Sequence, residues 1–357
     1  MNTRNRHLDL LKGIAITLVI CGHCIQFGSG AVFYDNTLFY DNIIFKIIYS
    51  FHMPLFALIS GYFLFFSVRK YNFTKLVKRR FQQLLLPVFI VFFLYYSFIV
   101  IIHRNEFSPT DYLSWYLLSC YSFLWFLWIT FFVSILFSFT YHYLKDNLLI
   151  HMLLIVIILI TPDGLIPAVY KFVYPYFLIG YCFSKYNIAK CTLWKKCNSF
   201  WGSFTILLAY FILFLLYSRD SYVYTTGIYI LSDFPSQLFI DLYRYLTGFM
   251  GALCLIIFIR KIPAEKLSSQ KYAYKIFFCL GQYSSFVYMF QQFFVSYILQ
   301  RVTARISPSY LFNFAEVLTI ILTSLLSIWI LSHSKVTARF LLGRTSPHNH
   351  SDNFTTT

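Results

Sequence analysis

Apolar runs of near-membrane length follow one another along most of the chain, and no other feature restricts its fold as much. Ten of them stand at about 8–27, 43–66, 84–102, 116–139, 147–161, 168–184, 201–217, 238–259, 277–299 and 311–332. A helix needs about 20 apolar residues to cross the hydrocarbon layer of a bilayer. Composition argues against a soluble fold. Only 12% of the 357 residues are charged, against about 25% in ordinary soluble domains, so polar side chains are too few to cover a chain that is 59% hydrophobic. The reading is an all-α, polytopic integral membrane protein with about ten transmembrane helices. The stretch from Tyr112 to Tyr143 has room for one span plus a re-entrant or interfacial piece. The fifth run is short and ends at Thr161-Pro162-Asp163-Gly164, a turn signal.

A formal net charge of +16 could point to nucleic acid, so the position of the charges decides. With ten alternating spans, 22 of the 29 Lys and Arg residues fall on one side of the membrane. Six fall on the other: Arg104, Lys171, Arg219, Arg244, Arg301 and Arg305. Cytoplasmic loops gather Lys and Arg, so both termini are expected in the cytoplasm, and the basic balance needs no nucleic acid. The expected organisation is a single transmembrane domain over 1–335 and a short cytoplasmic tail over 336–357. The first run has spanning length and no small-residue cleavage site, so no cleavable signal peptide is read. Eight cysteines are scattered with no disulfide framework. Cys21-Gly22-His23-Cys24 lies in an apolar helical run with no second Cys/His pair at ligand spacing. Neither redox chemistry nor a metal site is read there.

Charge inside the apolar runs is the next signal. Asp9-Leu-Leu-Lys12-Gly13 opens the first run and Gly22-His23 lies deep within it. Eleven helical steps from Lys12 to His23 close to within about 20° of one face, about 16 Å apart along the axis. Ionisable groups at such depth are expensive and mark function more often than packing. Asp9 is four turns from His23 and suits pairing with Lys12 instead. The second run carries Phe51-His52-Met53-Pro54 and Ser60-Gly61-Tyr62. Pro54 frees a backbone carbonyl, and Ser60 and Gly61 permit close approach of another helix. His52 is read either as bonded to a freed carbonyl or as acting beside His23.

The segments on the other side differ in character. Residues 28–42 hold Asp35 and Asp41 with no Lys or Arg, and 218–241 is rich in Tyr, Thr and Ser with Asp220, Asp233 and Asp241. Tyrosines among short polar side chains suit sugars, though an interfacial aromatic belt would look the same.

Taken in order, these stretches resemble the membrane-bound acyltransferase-3 family, which O-acylates carbohydrates, in its O-antigen and exopolysaccharide acetylase type. The family opens with a basic residue, ten residues and a histidine, here Lys12 and His23, with Lys where many relatives have Arg. The His52-Met53-Pro54…Ser60-Gly61-Tyr62 stretch resembles its second-helix signature. Arg80 matches the first arginine of its Arg-x-x-Arg before a Leu-Leu-Pro helix entry, and Gln83 stands where the second usually is. Leu124-Trp125-Phe126-Leu127, Tyr174-Pro175…Gly180-Tyr181 and Leu280-Gly281…Tyr288 resemble later elements. The last of these commonly ends in a histidine, and Gln291 occupies that position.

The resemblance implies a multi-pass protein of the bacterial inner membrane that moves an acetyl group from cytoplasmic acetyl-CoA to a sugar hydroxyl of a surface polysaccharide or its lipid-linked precursor. His23 is then the general base, because histidine alone titrates near neutral pH. Lys12 would help hold the anionic donor, His52 is the second candidate, and Arg79 and Arg80 would bind the phosphates of coenzyme A. A transporter or flippase for a lipid-linked glycan is the alternative. Two similar halves would favour it, but the Lys-x10-His and His-x-Pro stretches each occur once.

Overall fold

The computed structural model describes residues 6–28, 38–102, 108–122, 124–162, 164–229, 235–263, 272–295 and 310–343. Arg4, Asp35, Arg104, Asp163, Asp233, Lys266, Lys271, Arg301, Arg305 and Arg344 lie outside them. Among the described residues every regular element is helical. The α-helices are α1 (Arg6–Gly28), α2 (Ile43–Lys70), α3 (Phe73–Arg80), α4 (Leu86–Ile102), α5 (Pro109–Ser122), α6 (Trp125–Tyr143), α7 (Leu148–Leu159) and α8 (Leu165–Lys185). They continue with α9 (Thr192–Asn198), α10 (Phe200–Leu215), α11 (Val223–Thr226), α12 (Ser236–Arg260), α13 (Tyr272–Gln282), α14 (Ser284–Phe294), α15 (Tyr310–Ser332) and α16 (Lys335–Phe340).

Six helices among the described residues are long and apolar enough to cross a bilayer: Arg6–Phe27, Ile43–Lys70, Phe73–Phe98, Trp125–Tyr143, Ser236–Arg260 and Tyr310–Ser332. The other expected spans take different forms. α7 has 12 residues, which at 1.5 Å each falls short of a bilayer core of about 30 Å. α8 is 21 residues long but carries Lys171, Pro175 and five tyrosine or lysine positions besides. α9 and α10 meet at a 75° bend, where the Ser199 Oγ accepts from the Gly202 amide at 3.1 Å. The ninth run is broken at Tyr283 into α13 and α14. The Tyr112–Tyr143 stretch resolves into α5 and α6 around Leu124, and Trp128 Nε1 donates across that break to the Cys120 carbonyl at 2.7 Å.

Two glycine pairs set the centre of the bundle. A Cβ on Gly61 would fall onto the Phe177 carbonyl and one on Gly180 onto the Leu58 carbonyl, so α2 and α8 touch backbone to backbone. Gly13 against the Phe277 carbonyl and Gly281 against the Asp9 carbonyl do the same for α1 and α13. In lipid, helices gain little from hydrophobicity alone, and such small residues allow the close packing that holds them together. α10 and α15 lie outside this centre and present Phe204, Leu207, Phe211, Phe314, Leu318 and Leu322 outward. On a water-soluble surface that much apolar area would drive aggregation; facing lipid it is ordinary.

Pro87 cannot donate to the Gln83 carbonyl four residues back, and Phe81–Leu85 there form a π-turn that joins α3 to α4. The chain end packs against the same place. After α16, Gly343 takes the left-handed conformation (φ +66°) where a Cβ would run into the Gln83 carbonyl, and Leu342 is buried. The first part of the expected tail therefore lies on the bundle.

Two buried polar networks tie the helices further. Near the loop after α6, Lys185 pairs with Asp146 at 2.8 Å, and His151 contacts the Thr140 hydroxyl at 3.2 Å and the Tyr174 hydroxyl at 3.1 Å. Burial raises the pKa of the Asp146 carboxyl, but hydrogen bonds from His151 and Lys185 outweigh it, and the net shift is downward. At the far end, Arg244 pairs with Asp241 at 3.1 Å and donates to the Gly227 and Asp220 carbonyls. Lys171 Nζ donates to the Ile228 carbonyl at 3.1 Å. Two of the six cations assigned to that side of the membrane are thus buried in α8 and α12, holding the segment 219–228 by its backbone.

Candidate active site

A cavity of about 500 Å³ opens beside the start of α1 and runs inward between α1, α2, α3, α6 and α14. Its outer part carries Lys12, Lys70, Arg79 and Arg80, and among the described residues its lining has no acid. Three of the residues singled out from the sequence, on two separate elements, are therefore brought to one wall. Lys12 Nζ sits 3.8 Å over the Phe63 ring centre, which holds a cation by the ring quadrupole. The Arg79 guanidinium lies 4.5 Å from the centre of the Tyr71 ring, and Arg80 Nη2 reaches the Ser67 hydroxyl at 3.4 Å. Gln83 lines the cavity at the position where the resemblance expects a second arginine. Leu342 and Gly343 line it too.

The deep end is apolar, formed by Ile16, Val19, Met53, Phe56 and Leu127 with Thr130 and Tyr288. His23 is one helical turn beyond Val19, just past that end, and does not line the cavity. Its Nδ1 lies 3.0 Å from the Gln291 Oε1 on α14. The Gln291 amide nitrogen lies 2.8 Å from the same Nδ1 and donates to the Tyr288 carbonyl at 3.3 Å. In the tautomer whose Nδ1–H donates to the amide oxygen, Nε2 carries the lone pair a base requires. Gln291 is fully buried. Sequence reasoning met it only as a departure from a histidine; its contact with His23, 268 residues away in the chain, appears only on folding.

His52 sits further along. Its Nδ1 donates to the Ile48 carbonyl at 2.9 Å, and its ring packs 4.6 Å from that of Tyr49. It lines a space of about 10 Å³ with Ser50, Tyr217, Tyr222, Tyr224 and Arg244, room for about one water. Met53 lines this space as well as the larger cavity and forms the partition between them. The tyrosines offered by the sequence as a sugar platform differ from that expectation. Tyr222 is buried in an aromatic cluster with Phe39, Tyr40, Phe45, Tyr49 and Tyr217, which precedes that segment, because their rings find one another before they find solvent.

The sequence reading also missed Glu316. It is the one acid in the run 311–332, is buried, and has both carboxyl oxygens without a hydrogen-bond partner among the described residues. α15 packs on α1, the helix that carries His23. The available signal was an ionisable group inside an apolar run.

The comparisons bear on this arrangement as a whole. The family model for an acyltransferase domain matches residues 5–333. Nodulation protein NolL of Mesorhizobium japonicum (strain LMG 29417 / CECT 9101 / MAFF 303099) is 30% identical over 227 residues, covering 62% of this chain and 59% of that protein. Nodulation protein NolL of Sinorhizobium fredii (strain NBRC 101917 / NGR234) is 28% identical over 239 residues, covering 62% of this chain and 60% of that protein. The chain thus spans about three fifths of the length of these curated relatives. No solved structure matches it significantly. A family match over nearly the whole chain, with its motifs drawn to one cavity and the histidine behind it, makes this chain a member of the acyltransferase family.

Proposed function

We propose that the protein is a membrane O-acetyltransferase that takes its acetyl group from acetyl-CoA and delivers it to a sugar hydroxyl. The observation that carries this reading is the cavity with four cations in its outer part, no acid among its described lining residues, and an apolar end one turn short of His23. Phosphates suit the guanidinium groups of Arg79 and Arg80, Lys12 adds a point charge beside them, and the acyl-pantetheine arm is apolar enough for the inner part. With the thioester carbonyl advanced past Val19, Met53 and Tyr288, His23 Nε2 takes the proton of the sugar hydroxyl as its oxygen attacks. The new C–O bond forms, the C–S bond breaks, and the thiolate of coenzyme A recovers the proton from the imidazolium. Gln291 holds the ring through both transfers. The acceptor would enter from the His52 side, where segment 219–228 must move to admit it.

The topology proposed with this chemistry is ten membrane segments, the short and broken ones included, with both termini in the cytoplasm of a bacterial inner membrane. Reporter fusions at Gly30 and Tyr71 should then report opposite sides, and a common side would overturn it. The acceptor is proposed as a surface polysaccharide or its lipid-linked precursor. Mass spectrometry of surface glycan from cells with and without the protein should show an acetyl increment that depends on it, and identical glycans would refute the reaction. For the donor, replacing Arg79 and Arg80 with Gln should raise the apparent KM for acetyl-CoA, on the order of tenfold per arginine, with a smaller fall in kcat. Unchanged donor kinetics in correctly inserted protein would leave the two charges as topology signals only.

A further inference from the structure

A second cavity, of about 490 Å³, lies on the opposite side of α1 and α2 from the first and shares only Ile59 with it. Its walls come from α1 (His7, Leu8, Leu11), α2 (Leu58, Tyr62), α8 (Ile179, Phe183), α9 (Leu193, Trp194) and α12 (Leu253, Ile256). They are almost wholly apolar, and the volume is within the range of ordinary ligand sites. Among the polar side chains of the lining, His7 is bonded to the Ile262 carbonyl at 2.9 Å. Arg260 is exposed at the end of α12, with its guanidinium 5.4 Å from the centre of the Trp194 ring.

The surroundings say what chemistry fits. α9 lies at 75° to α10, the attitude of a helix resting in the interface before the chain turns into the bilayer. It buries Trp194 and exposes Leu193, Lys195 and Lys196. Lys190 and Lys261, also exposed, flank it. Among the described residues the lining includes no acid. An apolar slot with Arg260 in its lining and the exposed lysines of α9 and its flanks nearby matches a molecule with acyl chains and an anionic head. A zwitterionic lipid would bring an ammonium group among the same cations.

We infer that this groove is a binding site for an anionic phospholipid, its phosphate held by Arg260 and Lys196 and an acyl chain lying along Leu11, Leu58, Ile179 and Leu253. The occupant touches α1, α2, α8 and α12 together, the helices that also frame the donor cavity and the His52 end. Bound lipid therefore stabilises the bundle and leaves the donor cavity free. The site is independent of the acetyl-transfer reading.

The test uses the full chain in nonionic detergent without acyl donor. Phosphatidylglycerol and phosphatidylcholine with the same acyl chains are added separately, inorganic phosphate forms a third arm, and thermal unfolding and native mass spectrometry are read in each. Phosphatidylglycerol should raise Tm and persist as a single adduct, while the other two should do neither. Arg260→Gln and Lys196→Gln should each weaken the phosphatidylglycerol response by about fivefold and leave the lipid-free Tm unchanged. Equal stabilisation by phosphatidylcholine would reduce the groove to a generic lipid contact, and a response to phosphate alone would make it a free-anion site. Dimerisation on lipid removal, with no lipid response, would assign the groove to a second copy of the chain. Any of these three results, or full phosphatidylglycerol response in both variants, overturns the proposal.

Discussion

His23→Ala should lower acetyl transfer by about 10²–10⁴-fold and leave expression and membrane insertion intact. The imidazole lies one turn past the deep end of the larger cavity, with Nδ1 bonded to Gln291. On the proposed mechanism its loss removes the base, and it leaves the packing of α1 on α13 untouched, because that contact runs through Gly13 and Gly281. His52→Ala makes the comparison. His52 donates to the Ile48 carbonyl in its own helix and stacks near Tyr49, so its removal should be felt mainly as lost stability. Gln291→Leu tests the orientation separately: it should depress kcat while the KM for acetyl-CoA stays in place, since the imidazole loses the contact that holds its Nδ1 edge. Near-normal transfer by His23→Ala in inserted protein would place the base elsewhere, with His52 the next candidate.

Gly61→Leu and Gly180→Leu should each prevent the protein from reaching its folded state. At both positions a side chain would have to occupy the space of a backbone carbonyl on the facing helix, Phe177 in one case and Leu58 in the other. Ordinary overpacking costs about 1–3 kcal/mol because side chains can shift; here the obstacle is main chain, and separating α2 from α8 opens the core that holds Leu55, Leu58, Phe177 and Tyr181. The measurement is the fraction of membrane-extracted protein that elutes as a single species on size exclusion. Leu207→Ala is the control: Leu207 is 55% exposed on the lipid face of α10, and the change should stay within about 0.5 kcal/mol. Wild-type elution of the glycine variants would show that α2 and α8 do not meet as described.

The sequence carried the class of the fold unaided. Apolar runs too long and too poor in charge for a soluble core leave helices in a bilayer as the remaining solution, and that inference needs no tertiary contact. It also carried the motif positions, because Lys12 and His23 share a helical face by arithmetic and Gly61 and Gly281 stand out among bulky neighbours. Two kinds of information were not there. Runs such as 147–161 and 277–299 read as spans by composition, yet one folds short and the other breaks at Tyr283, since helix ends in a bundle are set by what neighbouring helices can satisfy. And the partners of buried polar groups come from distant segments. Gln291 beside His23 and Arg244 on the backbone of 219–228 are matters of which helix lies against which. Burial makes each of those pairings strong and exacting, and only the assembled bundle decides them.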